Sequence, residues 1–437
     1  PEVLVMTSGN LSEEPIAYEN AEARERLESL ADGFLMHDRP IYMRIDDSVV
    51  TMLREKPYIV RRARGFAPQQ LRLPWDAVPL LATGTELKNT FCLTRERYAF
   101  VSHYIGDLEN QETLSSFEQA IRHYERVFRI QPKALACDLH PDYLATRYAQ
   151  ARSQEDSLPL VAVQHHHAHI ASCLAENGWA SPEPVIGLAY DGTGYGTDGS
   201  IWGGEILIAS YKEFTRRFHL TQLPLPGGDL AVRKPARIAL SYLLAAGIDL
   251  EDQTLAPVAY LTPAEAQAVR HQARTGFNAP LTSSMGRLFD AVAALMGLCE
   301  EISYEAQAAM MLESAADPQE SGFYEMPLEN DIIDPLPMIR AIVADLKASV
   351  SLGSIAARFH NSLIRMSVEA CRQIRKESGL RTVAISGGVW QNMRLMNLIL
   401  PALEAEGFTP LIHTQLPPND GCVSLGQAAV ALARLQG

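Results

Sequence analysis

The sequence predicts an α/β protein with two sheet-containing lobes, and three observations carry that expectation. Short apolar runs such as "ALACDLH", "LPLVAV" and "TVAIS" alternate with longer segments of helical period. A chain of 437 residues is too long for one ordinary core, so two or three domains are expected. Glycine-rich turns follow apolar runs in "AYDGTGYGTDG" and "AISGGVW", as at the ends of sheet strands that face a ligand.

The elements follow in order. "EVLVM" reads as a strand and "YENAEARERLESLA" as an amphipathic helix. "SVVTMLREKPYIVRRA" reads as two strands about a turn at 55–57. Three prolines in "FAPQQLRLPWDAVPL" mark a break at 66–80. Beyond it, "LLATG" and "TFCLTRE" are expected strands and "LSSFEQAIRHYERVFRI" a helix. The strand "ALACDLH", the helix "LATRYAQARS" and the strand "LPLVAV" come next. "PVIGLAYDGTGYGTDGSIWGGEILIAS" reads as strand, glycine turn, strand, with Asp191 ending the first. Helices are expected in "MGRLFDAVAALMGL", "YEAQAAMMLESA" and "IAARFHNSLIRMSVEACRQIRKE", then the strand "TVAIS", a turn entering a helix, and a closing helix "CVSLGQAAVALARL".

Composition narrows the function classes. Hydrophobic content of 47% with 21% charged residues describes a folded protein. No run of 18 apolar residues occurs, and no signal peptide opens the chain. Because the sequence starts at Pro1 without Met, we expect a piece of a longer protein. Net charge is −14, which weighs against a phosphate-backbone binder; the main basic run is "RRARG" at 61–65. Six cysteines lie far apart with no C-x-x-C pair, which argues against a disulfide framework and for a reducing cytoplasm.

"LVAVQHHHAHIASCLAENG" (160–178) concentrates four histidines in five positions. A helix from about His165 to Asn177, closed by Gly178, puts His165 and His169 one turn apart on one face, where both can reach one metal ion. The other reading is a polar helix start with scattered histidines. Two histidines do not close a site, so a carboxylate from elsewhere is required. Asp191 in "YDGTGYGTDG" could supply it, its glycines offering N–H groups to an anion; the bland reading is a hairpin with a capping Asp. "AISGGVWQN" reads as an anion site at a helix start or as an ordinary strand-to-helix turn. Asp420 in "LPPNDGCVSLGQA" is a metal ligand or an N-cap. Ser8 and Asn10 in "VMTSGNLSEEP" are a polar nucleotide rim or a turn with a cap, and Lys88 and Asn89 occupy the turn of "TGTELKNTFCL".

In one order, "HHHAH", "DGTGYG", "ISGGVWQN" and "NDGCVSLGQA" resemble the carbamoyl-transfer domain family of the actin-like ATPase (ASKHA) superfamily, which includes the tRNA threonylcarbamoyl transferases. Upstream, "TSGNLSEEP" and "RRARGFAP" resemble the second half of a YrdC-type domain, which makes acyl-adenylates from ATP. This order of modules, with "YEAQAAMMLE" and "SGGVWQN", is most similar to the HypF family, carbamoyltransferases of NiFe-hydrogenase maturation. The resemblance implies a partial YrdC-like α/β domain over 1–72 and a two-lobed ASKHA domain over 78–437, with lobes at about 78–230 and 231–437. It implies that carbamoyl phosphate and ATP, cleaved to AMP and pyrophosphate, give carbamoyl-adenylate. The carbamoyl group then passes to the C-terminal cysteine of HypE, toward the cyanide ligands of the iron. Neither nucleic acid nor a membrane is an implied partner.

By the same resemblance His165, His169, Asp191 and Asp420 hold one transition metal, iron or zinc, with Mg a further ion, and His165, His169 and Asp191 act in catalysis. Gly192, Thr193, Gly194, Gly387, Gly388 and Asn392 would hold nucleotide with Lys88 and Asn89, and Ser8, Asn10 and Arg64 would serve the YrdC-type part. The order Asn419-Asp420-Gly421 departs from the tRNA enzymes, where the ligand aspartate precedes Asn-Gly, so two registers are open. Acylphosphatase-like and zinc-finger segments and the first half of the YrdC-type domain precede this stretch in full-length members. The expectation is that the chain binds nucleotide and metal without making the adenylate. Rival readings are tRNA threonylcarbamoyl transfer, disfavoured by the acidic charge and the fused YrdC-type segment, and a non-catalytic actin-like regulator or a sugar kinase, neither of which requires the paired histidines.

Overall fold

Two sheets organise the computed structural model, which describes residues 7–11 and 16–435. The strand expected at 2–6 lies outside the described residues. The first sheet has four strands in the order Cys92–Val101, Leu71–Ala82, Ala134–Asp138, Leu160–Val163. Its first pair is antiparallel and the others are parallel. The break expected at 66–80 is instead mostly strand. Pro74 and Pro79 fall in the stretch where pairing shifts register between Arg72 and Leu80, so they remove few ladder hydrogen bonds.

The second sheet runs Leu328–Glu329, Ile332–Ile333, Phe214–Leu220, Ile201–Ala209, Val185–Tyr195, Thr382–Ser386, Thr409–Leu411, with two short strands, Leu223–Pro224 and Leu281–Thr282, beside it. The lobes therefore divide near residue 180, not 230. Val185–Tyr195 pairs in parallel with Thr382–Ser386, matching Ser386 to Ala189, and this long-range ladder outweighs sequence proximity. The glycine turn also differs from expectation. The strand does not end at Asp191; pairing with Ile201–Ala209 lapses between Tyr190 and Gly194, then resumes. Asp191 thus sits on a local irregularity within a strand.

Between the sheets lies the helix His165–Glu176, buried from His165 to Ala175. It packs on both sheets and on the final helix Val423–Leu435. Contact there is close. A Cβ at Gly426 would lie 1.7 Å from the Ala168 carbonyl oxygen, so no side chain fits at that crossing. The hairpin Val49–Leu53 and Lys56–Arg61 turns at Arg54 and Glu55, both left-handed (φ 49° and 63°), one residue before the expected turn. It docks on the second lobe through Tyr58, whose hydroxyl donates to the Trp390 carbonyl at 3.2 Å. Among the described residues, no helix is long and apolar enough to cross a membrane.

Candidate metal centre

The helix carrying the histidines starts where expected. Gln164 caps it, its side-chain oxygen accepting the His167 N–H at 2.9 Å. His165 and His169 then face the same point one turn apart. Asp191 reaches that point from the strand irregularity. Asp420 reaches it from the short turn Asp420–Cys422 that leads into the final helix. The N-cap role there belongs to Asn419, whose side chain accepts the Gly421 N–H at 3.0 Å and donates to the Val60 carbonyl. Capping by Asn419 leaves Asp420 free to face the histidines.

His165 Nε2, His169 Nε2, one Asp191 oxygen and one Asp420 oxygen all lie within 4.8 Å of one another. His169 Nε2 is 2.9 Å from Asp191 Oδ2 and 3.6 Å from Asp420 Oδ1; for His165 Nε2 the distances are 3.5 and 3.6 Å. Both Nε2 atoms and Asp191 Oδ2 are buried without a hydrogen-bond partner. Orphaned buried polar atoms aimed at one point are expensive to maintain. A cation bound among them removes that cost, so these residues fit a metal ion.

Their other atoms are committed. His165 Nδ1 donates to buried Asp138 at 3.0 Å, and His169 Nδ1 lies 3.1 Å from Ser386 Oγ. Asp191 Oδ1 accepts the N–H of Gly192 at 2.7 Å and of Gly388 at 3.2 Å. The glycine turns were expected to offer these N–H groups to nucleotide; here they aim the second Asp191 oxygen at the histidines. Burial opposes charge on every member, but the neighbours outweigh it. The negative charge of Asp420, with the Asp138 and Asp191 carboxylates beside the ring, holds His165 well above the ordinary histidine range. His169 is raised likewise, by Cys422, Asp191 and Asp420. The two histidines in turn push Asp191 well below the ordinary range, and His165 brings Asp420 to about 2. A metal ion bound there would take the place of the protons that the two imidazole Nε2 atoms otherwise carry.

Asp191 and Asp420 also wall a cavity of about 620 Å³. Lys88, Gly192, Thr193, Gly388 and Asn392, all expected site residues, line it as well. Lys88 pairs with Glu305 across it. Asn392 additionally caps the helix Met393–Ala405. Other expected residues lie elsewhere. The Asn89 amide holds the Thr83 and Thr85 carbonyls. Gly194 lies under the histidines, where a Cβ would meet His166 at 2.5 Å. Gly387 takes φ 113° and donates to the Pro418 carbonyl. Arg64 is exposed beside Asp47, Ser8 is exposed, and Asn10 bonds the Leu11 carbonyl. The sequence reading missed Asp138, Ser386, Arg61 and Arg287. Asp138 had a signal: it closes the apolar strand Ala134–Asp138. Arg61 stacks on Tyr104 and Arg287 pairs with Asp290, all four on the cavity wall.

The model of the HypF Kae1-like domain matches residues 76–176. That of "Carbamoyltransferase, Kae1-like Domain, second subdomain" matches 187–427. A Sua5/YciO/YrdC model, described as telomere recombination, matches 1–63. Carbamoyltransferase HypF of Synechocystis sp. is 40% identical over 99% of this chain and 57% of its own length. The carbamoyltransferase HypF homolog of Cupriavidus necator is 37% identical over 82% of this chain and 92% of its own length. A crystal structure of full-length HypF in the phosphate- and nucleotide-bound form superposes with a TM-score of 0.92 at 42% identity, covering 99% of this chain and 67% of that one. The chain thus spans little more than half of the Synechocystis relative, 57%. Kae1-like matches on both lobes, and relatives aligned along nearly its whole length, place this chain in the HypF carbamoyltransferase family.

Proposed function

We propose that this chain performs the carbamoyl-transfer half of NiFe-hydrogenase maturation: a carbamoyl group, activated from carbamoyl phosphate and ATP as carbamoyl-adenylate, passes to the C-terminal cysteine thiolate of HypE. The observation that carries the reading is the four-residue ligand cluster, two members of which, Asp191 and Asp420, stand in the wall of a nucleotide-sized cavity. His165, His169, Asp191 and Asp420 would hold the metal. Two imidazoles with two carboxylates suit iron or zinc better than Mg. When bound, the metal supplies Lewis-acid polarisation of an acyl or phosphate oxygen. The chain's own residues do the rest. Lys88, Arg61 and Arg287 bring positive charge to the cavity wall, where it steadies phosphate groups. Asp138 and the two glycine N–H groups hold His165 and Asp191 in place. No cysteine is among the residues lining the cavity, which suits a thiol supplied by a partner. The setting implied is cytoplasmic, and a 1–63 match to one domain model suits adenylate chemistry next to this cavity.

The test is mass spectrometry of the HypE C-terminal peptide after incubation of HypE with full-length enzyme, carbamoyl phosphate and ATP. A carbamoyl adduct on the terminal cysteine is expected. An unmodified peptide together with modified tRNA would replace this reading with threonylcarbamoyl transfer.

A further inference from the structure

Behind His169 runs a buried chain of side chains that no step of the transfer requires. Ser386 Oγ lies 3.1 Å from His169 Nδ1 and 2.9 Å from His413 Nε2. His413 Nδ1 lies 2.6 Å from Glu176 Oε2, and both of these side chains are fully buried. Oε1 of Glu176 accepts the backbone N–H groups of Thr414 and Gln415. A buried ion pair gains little stability over well-packed apolar groups, so stability does not account for it.

Counting donors assigns the protons. Glu176 receives donors on both oxygens and is therefore a carboxylate, which places a proton on His413 Nδ1. The Ser386 hydroxyl has acceptors for its own proton in the Pro418 carbonyl, at 3.3 Å, or in His413 Nε2. Cys422 Sγ, 3.7 Å from Ser386 Oγ, is a third acceptor; with the proton directed at any of these an oxygen lone pair faces His169 Nδ1, and the same sulfur lies 3.5 Å from that nitrogen. We infer that Glu176, His413 and Ser386 form a positioning relay that keeps the His169 proton on Nδ1, so that Nε2 presents its lone pair toward Asp191 and Asp420. The relay spans the molecule: Glu176 ends the helix bearing His169, Ser386 ends a strand of the second sheet, and His413 follows the strand Thr409–Leu411. His165 needs no such relay, because Asp138 accepts its Nδ1 proton directly.

The inference rests on the metal reading above, and cobalt separates the two. Co²⁺ alone is titrated into metal-stripped full-length protein, reading affinity by chelator competition and geometry by the visible absorption bands. Ser386→Ala is expected to weaken Co²⁺ binding 10- to 100-fold and to shift the bands. Glu176→Gln, which keeps an acceptor for the two backbone N–H groups, is expected to give a smaller loss of the same sign. Thermal melts of the metal-free proteins identify any variant that fails to fold, and should Ser386→Ala not fold, Glu176→Gln decides. Wild-type affinity and bands in the folded variants overturn the relay while leaving the metal centre standing. A wild-type protein that takes up no Co²⁺ overturns the metal centre and the relay with it.

Discussion

Glu205 and Asp191 are both carboxylates on neighbouring strands of the second sheet, and both are buried, yet their surroundings differ in kind. Glu205 is saturated. It accepts from the N–H of Gly203 and Gly204 at 3.0 and 3.2 Å, from Ser283 at 2.6 Å, and from Arg216 at 2.5 Å. Arg216 in turn stacks on Trp202 with its guanidinium carbon 3.9 Å from the ring centroid. Asp191 accepts from two backbone N–H groups on one oxygen only, and its other oxygen is an orphan beside two orphaned imidazole nitrogens. Charge and burial are alike in the two clusters; satisfaction is not. A closed cluster is scaffold, and an open one awaits a ligand.

Replacing His165 and His169 together by Ala tests that difference most severely. Carbamoyl transfer is expected to fall to background and the metal to be lost, while the melt matches that of metal-stripped wild type. Metal retained in stoichiometric amount would close the open cluster as a candidate.

Acid separates the histidines of the cluster from those of the core. Burial lowers His103, His167 and His360 each to about 4. Their folded values lie below the ordinary 6.5, so the unfolded chain takes up protons first as pH falls. Stability is full above about pH 6.5 and is lost between there and about pH 4, by about 3 kcal/mol per histidine at most. Denaturant midpoints across that window should show the slope, and His103→Gln should reduce it. An unchanged slope in that variant removes His103 from the account.

Glu205→Ala leaves Arg216 without its buried partner and is expected to cost about 3–5 kcal/mol of stability without altering metal content. Metal loss in a folded Glu205→Ala protein would blur the line between the clusters. Smallest is Arg54→Ala at the exposed pair with Glu404, 2.7 Å, where the hairpin meets the second lobe. A change of about 0.2–1 kcal/mol, fading with added salt, is expected in the melt.

What the sequence made legible was local. His165 and His169 were readable because four positions on one helix fix their direction, and Gly178 closes that helix with φ 64° as expected. Asp191 and Asp420 were candidates from their own motifs, each beside a bland reading, and only the order of motifs joined them to the histidines. Their convergence depends on strand pairings between residues near 186 and 384, which no short window contains. The glycine turns were located by their sequence, but that the N–H groups of Gly192 and Gly388 reach Asp191 was not, since a turn's geometry does not name what it binds. The relay was invisible because Ser386 and His413 meet His169 and Glu176 across separations of 217 and 237 residues.

The closing helix Val423–Leu435 has a consequence for biosynthesis. It presses Gly426 onto the helix that bears His165 and His169, and Asp420 is delivered by the turn just before it. During translation the histidines emerge from the ribosome some 250 residues ahead of that aspartate, at 165 and 169 against 420. Three of the four cluster members, His165, His169 and Asp191, are therefore made well before the fourth, Asp420. The cluster closes only when the turn at Asp420 and the final helix pack against the histidine helix.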